Sequence, residues 1–364
     1  MALNSQDARG FESRVVAYYA RAETYLIELI ADAIRRTGDA PNWAEALLVD
    51  VRRMRGAVEG MNTAVWEKTP GEMMQSVDEA YTRGVIHGRA DVQDAVPTPP
   101  PVQPINHAAV VSLASEGAKS LFPVHQHLYR RVDDAVRTII HEASGLTVVG
   151  AKTPQEAMRQ ALNGMAKRGM GFYRDTSGRK WALDAYAEMA TRTTTTNALR
   201  AGYTDSLVDA GFDLVVVSSH KNPAPQCAPF ERKVLSLTGK YSAGTHRVGD
   251  SIVHVKATMR DAEASGLHHP HCRHTTSLYQ AGVTPLKPPE PDPGHVGYQA
   301  TQKQRYLERQ IRASKCLEAA AVTEDDARKA RERLRVYQQK LRAHVDEHGL
   351  PRRRHREVLR VPVD

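Results

Sequence analysis

Ser218-Ser219-His220, with Cys227 seven residues on, and the run His268-His269-Pro270-His271-Cys272-Arg273-His274 place two of the chain's three cysteines among a local density of imidazoles. Prolines and glycines bound both stretches, so both read as loops. Thiolate and imidazole at loop positions are the donors of a zinc-type site. A blander reading stands beside it, in which Cys227 and Cys272 are small buried hydrophobes and the histidines hydrogen-bond their own loops. Nothing else in the chain offers a comparable constellation.

The elements that must hold these loops are short. The β-branched run Asp213-Leu214-Val215-Val216-Val217-Ser218 is too brief for a helix and leads into Pro223, Pro225 and Pro229, as a buried strand does before a loop. Lys233-Val234-Leu235-Ser236-Leu237 and Ile252-Val253-His254-Val255 predict two more strands, separated by Gly239, Gly244 and Gly249. Three strands make a small sheet, and no glycine-rich phosphate loop is present. Upstream, Val15, Tyr18, Tyr19, Ala22, Leu26, Leu29, Ile30 and Ala33 recur at helical spacing up to a stop at Gly38. Further helices are predicted over 43–58, 71–93, 154–167 and 181–210, the last capped by Gly211; Leu128, Val132, Val136, Ile139 and Ile140 mark another. On the 181–210 helix, Arg192 to Thr196 reads either as a polar contact surface or as hydroxyls bonded back to the preceding turn.

Two proline clusters punctuate the chain, Val96 to Pro104 and Pro285 to Pro293, because proline lacks the amide donor a helix needs. The expected organisation is a helical head over 1–95, a linker over 96–104, a helical and small-sheet module over 105–284, a second linker over 285–300 and a basic helical tail over 301–364. The fold class is therefore α+β, with a predominantly helical N-terminal half and a short β-sheet. In the tail, Thr323 followed by Asp326 predicts an N-cap, and Leu334, Tyr337 and Leu341 form an apolar stripe suited to a partner helix.

At 364 residues and 41% hydrophobic, the chain can bury a core. No long apolar run and no secretory leader are read, and three cysteines do not make a disulfide framework, which points to a reducing compartment. The net charge of +8 is concentrated: from Thr301 onward there are seventeen Lys and Arg against ten Asp and Glu, which accounts for +7. That asymmetry predicts either a polyanion partner or a solvated charged helix. The candidate contact residues are Arg305, Arg309, Arg312, Arg352, Arg353, Arg354 and Arg356.

The order Arg192-Thr193-Thr194, then Asp213 to His220, then Pro225 to Leu237, then Cys272-Arg273-His274, resembles the tailed-phage minor capsid protein 2 family, within the wider group of Mu F-like head morphogenesis proteins. Gln304-Arg305-Tyr306-Leu307-Glu308-Arg309-Gln310-Ile311-Arg312 is similar to that family's Q-R-x-x-E-R-x-I-R segment. The resemblance covers 186–356. Where the family's loop has histidine and tryptophan, this chain has Cys227 and Phe230. Trp to Phe suits a packing position, whereas His to Cys preserves a zinc ligand. The resemblance thus yields the ligand set His220, Cys227, Cys272 and His274, with His271, His269 and His268 as substitutes. Four protein donors would fill a tetrahedron around a structural zinc, with no open position for chemistry.

What the resemblance implies is a non-enzymatic virion component of the phage head, assembled in the host cytoplasm. Its expected partners are the portal protein, the major capsid or scaffolding protein, and packaged DNA; no membrane is involved. The competing expectation is a metal-dependent hydrolase or nuclease on the His/Cys loops, with Glu231, Asp250 or Glu263 as base. The soft ligand set argues against it, because phosphoryl chemistry uses harder carboxylate ligands.

Overall fold

The computed structural model describes residues 13–101, 104–168, 173–174, 178–181, 183–270, 272–289 and 292–359. The fold is α+β. Eight helices are described, α1 (Ser13–Thr37), α2 (Trp43–Ala95), α3 (His107–Val148), α4 (Pro154–Arg168), α5 (Leu183–Asp209), α6 (Met259–Ala264), α7 (Val296–Ala319) and α8 (Glu324–Glu347). The strands are β1 (Tyr173–Arg174), β2 (Lys180–Trp181), β3 (Leu214–Val217), β4 (Val234–Ser236), β5 (Gly244–Val248), β6 (Ser251–Thr258) and β7 (Thr276–Leu278). No described helix is long and apolar enough to cross a membrane.

The chain divides into two compact units. One takes the described residues of Met1–Ser13, Pro70–Ala118 and Met189–Gln299; the other takes those of Arg14–Thr69, Lys119–Glu188 and Ala300–Asp364. Two expected helices, over 43–58 and 71–93, are one continuous helix, α2, with Pro70 inside it. An interior proline costs about 3 kcal/mol. Burial of Val58 and Val65 before it, and of Met73, Val77, Ala80 and Tyr81 after it, outweighs that cost.

In the second unit, Leu26, Ile27, Ile30 and Ile34 of α1 pack with Leu47, Val51 and Met54 of α2, Val132, Val136 and Ile139 of α3, and Met158 and Leu162 of α4. Leu317, Ala320 and Ala330 join the same core, so the C-terminal helices are anchored in it. The stripe Leu334, Tyr337 and Leu341 finds its partner helix in α7, through Leu307 and Ile311. Thr323 caps α8 as expected, its hydroxyl accepting from the Asp326 amide at 3.2 Å.

In the first unit, a five-stranded mixed sheet runs in the order β5-β6-β4-β3-β7, two strands more than the sequence predicts. The additions, Gly-Thr-His-Arg-Val and Thr-Ser-Leu, are short and polar edge strands, whose pairing is set by the neighbour and not by their own pattern. Only β6 to β4 is parallel. Val217 of β3 stands opposite Thr276 of β7, and the ladder continues one step further, the Ser218 amide donating to Thr275 O at 2.8 Å. The segment leaving β3 and the segment entering β7 are thereby side by side. One cluster of the sheet buries Leu214, Val234, Val253 and Val255, and Val215, Val217 and Leu235 are buried as well.

Helices α2 and α5 pack at very close range. A methyl group at Gly84 would collide with Leu199 O, and one at Gly202 with Tyr81 O, so only glycine fits. The contact is latched in both directions: Tyr81 donates to Asp205, and Tyr203 donates to Asp91 at 2.5 Å. Burial and the neighbouring carboxylates push both phenol pKa values well up, so both remain donors. Tyr203 Oη also accepts from the Leu278 amide at 2.8 Å, which ties α5 to β7. Thr191, Thr195 and Thr196 are buried on α5, and Thr195 bonds back to Thr191 O at 3.1 Å. For Thr195, the back-bonded reading of the threonine run therefore holds.

Candidate functional site

The loop that leaves β3 at Ser218 is folded by its own backbone. Ala224 O accepts from the Cys227 amide at 2.9 Å and from the Ala228 amide at 3.1 Å, and the Arg232 amide returns to Val217 O at 3.0 Å. This turn carries Cys227 inward to 0% exposure, with Phe230 at 7% and Glu231 at 1%. The burial of Phe230 fits the packing role expected of it. The opposing loop descends from α6, whose N-cap Thr258 accepts from the Asp261 amide at 3.1 Å. It passes Gly266 and His268, both at positive φ, and fixes Cys272 by a bond from its amide to His269 O at 2.8 Å.

The two loops meet at sulfur. Cys227 Sγ lies 3.7 Å from Cys272 Sγ, and Cys272 Sγ lies 3.4 Å from His274 Nδ1. The ligand atoms of Cys227, Cys272 and His274 all lie within 4.8 Å of one another, and all three residues are buried. Three of the four expected ligands are thus together. His220 is their neighbour, its ring centroid 4.8 Å from that of His274. Its Nε2 is engaged by Arg273 O at 2.9 Å and Ser218 Oγ at 3.2 Å. Among the substitutes, His269 Nδ1 donates to Pro270 O at 2.7 Å, and His271 lies outside the described residues.

Two of the imidazoles, those of His274 and His268, have a carboxylate behind them. Glu231 Oε1 accepts from His274 Nε2 at 2.8 Å, and Glu231 also takes the His220 amide at 2.8 Å and Ser219 Oγ at 3.3 Å. Glu263 Oε1 takes His268 Nδ1 at 3.1 Å. Both acids, which the hydrolase expectation casts as a base, are hydrogen-bonded to histidine rings. Nothing in their sequence context marks them for that contact, since their partners lie across a loop or on the far side of a turn.

Electrostatics follow from the contacts. The hydrogen bond from Cys227 holds the Cys272 thiol well below its usual range, while the same contact and burial push Cys227 up. Burial opposes charging of His274, but hydrogen bonds to Cys272 and Glu231 outweigh it and hold the imidazole up to about 9. Burial of the His268 side chain lowers its pKa.

The tail arginines form a second cluster. Glu308, 2% exposed, is surrounded by Arg356, Arg353, Arg312 and Arg305; burial raises its carboxyl pKa and the four guanidinium groups oppose that rise. Arg352 grips Glu357 through two bonds of 2.7 and 2.6 Å, and Arg312 donates to Arg356 O at 2.8 Å. Arg309 and Arg354 are exposed.

The phage minor capsid protein 2 family matches residues 3–346. A protein named "Structural protein" from Lactococcus phage LL-H is 30% identical over 219 residues, covering 57% of this chain and 57% of that protein. The alignment thus spans little more than half of that relative's length. No solved structure matches the chain. With nearly its whole length matched, the chain belongs to the phage minor capsid protein 2 family.

Proposed function

We propose that this protein is a non-catalytic component of the phage head, seated at the portal vertex or the inner capsid face among portal, capsid or scaffolding subunits, with its C-terminal helices against packaged DNA. The observation that carries the non-catalytic reading is closure of the thiol site. Cys272, His274 and Glu231 follow the order of a thiol–imidazole–carboxylate relay. Yet Cys272 is only 6% exposed, and its sulfur lies 3.7 Å from the buried sulfur of Cys227. A cavity of about 250 Å³ in the same unit is lined by Tyr81, Arg89, Pro100, Asp205 and Asp209, and by none of the thiol-site residues.

DNA is the partner that the arginine cluster fits, because phosphate contacts need clustered positive charge and no base-stacking aromatics. Arg352 and Arg356 also serve internal pairs with Glu357 and Glu308. The contact is therefore assigned chiefly to Arg309 and Arg354, with Arg305, Arg312 and Arg353 behind them. Binding of the full chain to duplex DNA, measured across a salt series, is expected to be sequence-independent. Arg309→Ala with Arg354→Ala should flatten the log–log salt slope by about 1.8, the loss of two phosphate contacts. An unchanged slope removes DNA as the partner and leaves an acidic portal surface to the same residues.

A further inference from the structure

Among the described histidines of its loop, His268 alone has a buried ring nitrogen without a hydrogen-bond partner. Its side chain is 5% exposed. Nδ1 is held by Glu263, which leaves Nε2 as the free lone pair of a neutral ring, and Nε2 is buried with no hydrogen-bond partner. A buried nitrogen left this way forfeits the solvation it had in water. The backbone at His268 has φ +60°, a left-handed conformation that a residue with a side chain adopts at a cost. The ligand atoms of Cys227, Cys272 and His274 lie within 4.8 Å of one another, and the His268 ring, outside that trio, is near enough to Cys272 to interact with it electrostatically.

We propose that Cys227, Cys272, His274 and His268 together hold a structural zinc ion, through the two Sγ atoms, His274 Nδ1 and His268 Nε2. Both imidazoles carry the carboxylate that zinc-binding histidines use to fix tautomer and ring orientation, Glu231 for His274 and Glu263 for His268. His220 is the rival fourth ligand: its Nε2 is committed to Arg273 O and Ser218 Oγ, so it would have to bind through Nδ1, whereas His268 carries a buried Nε2 with no hydrogen-bond partner. Two thiolates neutralise the dication, which suits a site sealed from water. Soft sulfur with imidazole selects zinc over magnesium or calcium, and four protein donors leave no open position. The sheet's two longest loops, 218–233 and 259–275, meet here, so the ion would tie them together.

The test uses the full chain purified under reducing conditions, with Zn2+ and Co2+ as probes. One zinc per chain is expected, together with a cobalt form showing tetrahedral d–d bands and sulfur-to-metal charge transfer from two thiolates. His220→Ala should bind zinc as the wild type does. His268→Ala should lose more affinity than the 10- to 100-fold that removal of an outer-shell partner typically costs, and its cobalt bands should weaken toward higher coordination. Glu263→Gln should fall between them. Because the cysteine variants can unfold, the two histidine variants carry the test, with far-UV circular dichroism confirming that their helices are intact. Loss of zinc in His220→Ala with retention in His268→Ala overturns the assignment of the fourth ligand. A wild-type chain that binds neither ion, or that is two hydrogens lighter through a Cys227–Cys272 disulfide, overturns the site.

Discussion

Gly202→Ala is expected to destabilise the sheet-bearing unit by about 3 kcal/mol, at the upper end of what overpacking costs, which lowers its melting midpoint by roughly 6–12 °C. The added methyl would meet the carbonyl of Tyr81, which is backbone and has no rotamer in which to retreat. The helices must separate, and the separation reaches Tyr81–Asp205, Tyr203–Asp91 and the Tyr203 link to Leu278 together. Gly84→Ala should act the same way through Leu199 O. The double variant should cost less than the sum, since one displacement relieves both clashes. Gly56, on the same α2 helix but with nothing near its would-be Cβ, supplies the control of opposite sign. Gly56→Ala should stabilise by up to about 1 kcal/mol through helix propensity alone. Thermal unfolding of the three single variants checks the sign and the order.

Glu231→Ala is expected to cost about 3–5 kcal/mol, the range for breaking one side of a buried charged pair. The carboxylate is 1% exposed and serves three donors, the His220 amide, Ser219 Oγ and His274 Nε2. Removing it strands all three inside the protein. Glu231→Gln keeps the shape and one acceptor oxygen but turns an amide toward the imidazole, so about 1–3 kcal/mol is expected. Denaturant midpoints give the totals, and hydrogen exchange at the His220 amide reports the local loss. A change below about 0.5 kcal/mol for Glu231→Ala, the size of an ordinary surface substitution, would mean that Glu231 does not organise this site.

The sequence exposes this site well where types are rare and spacing is local. Two of three cysteines and a histidine-rich run announce themselves, and the β-branched run 213–218 locates the strand that delivers the first loop. His268 could be named only as one of several substitutes, because its distinction lies in a bond to Glu263 five residues earlier and in a nitrogen that only the folded chain leaves without a partner. The strands β5 and β7 escaped because polar edge strands carry no alternation to read. The expected gap between 58 and 71 closes in the fold, where α2 runs on through Pro70 with buried residues on both sides of it. The arginine run reads in sequence as one contact surface. In the fold, Arg352 and Arg356 are engaged with acids of their own unit, while Arg309 and Arg354 face solvent.

A thiol–imidazole centre that is a sealed structural joint without turnover should resist alkylation of the native protein by iodoacetamide, read out by peptide mapping. Cys316, only partly buried on α7, should react first. Cys227 and Cys272 should be protected by roughly a thousandfold or more, reacting only as the unit opens. Rapid, selective modification of Cys272 in the intact fold would contradict the claim, because it would show a thiolate open to small electrophiles, as a catalytic nucleophile must be.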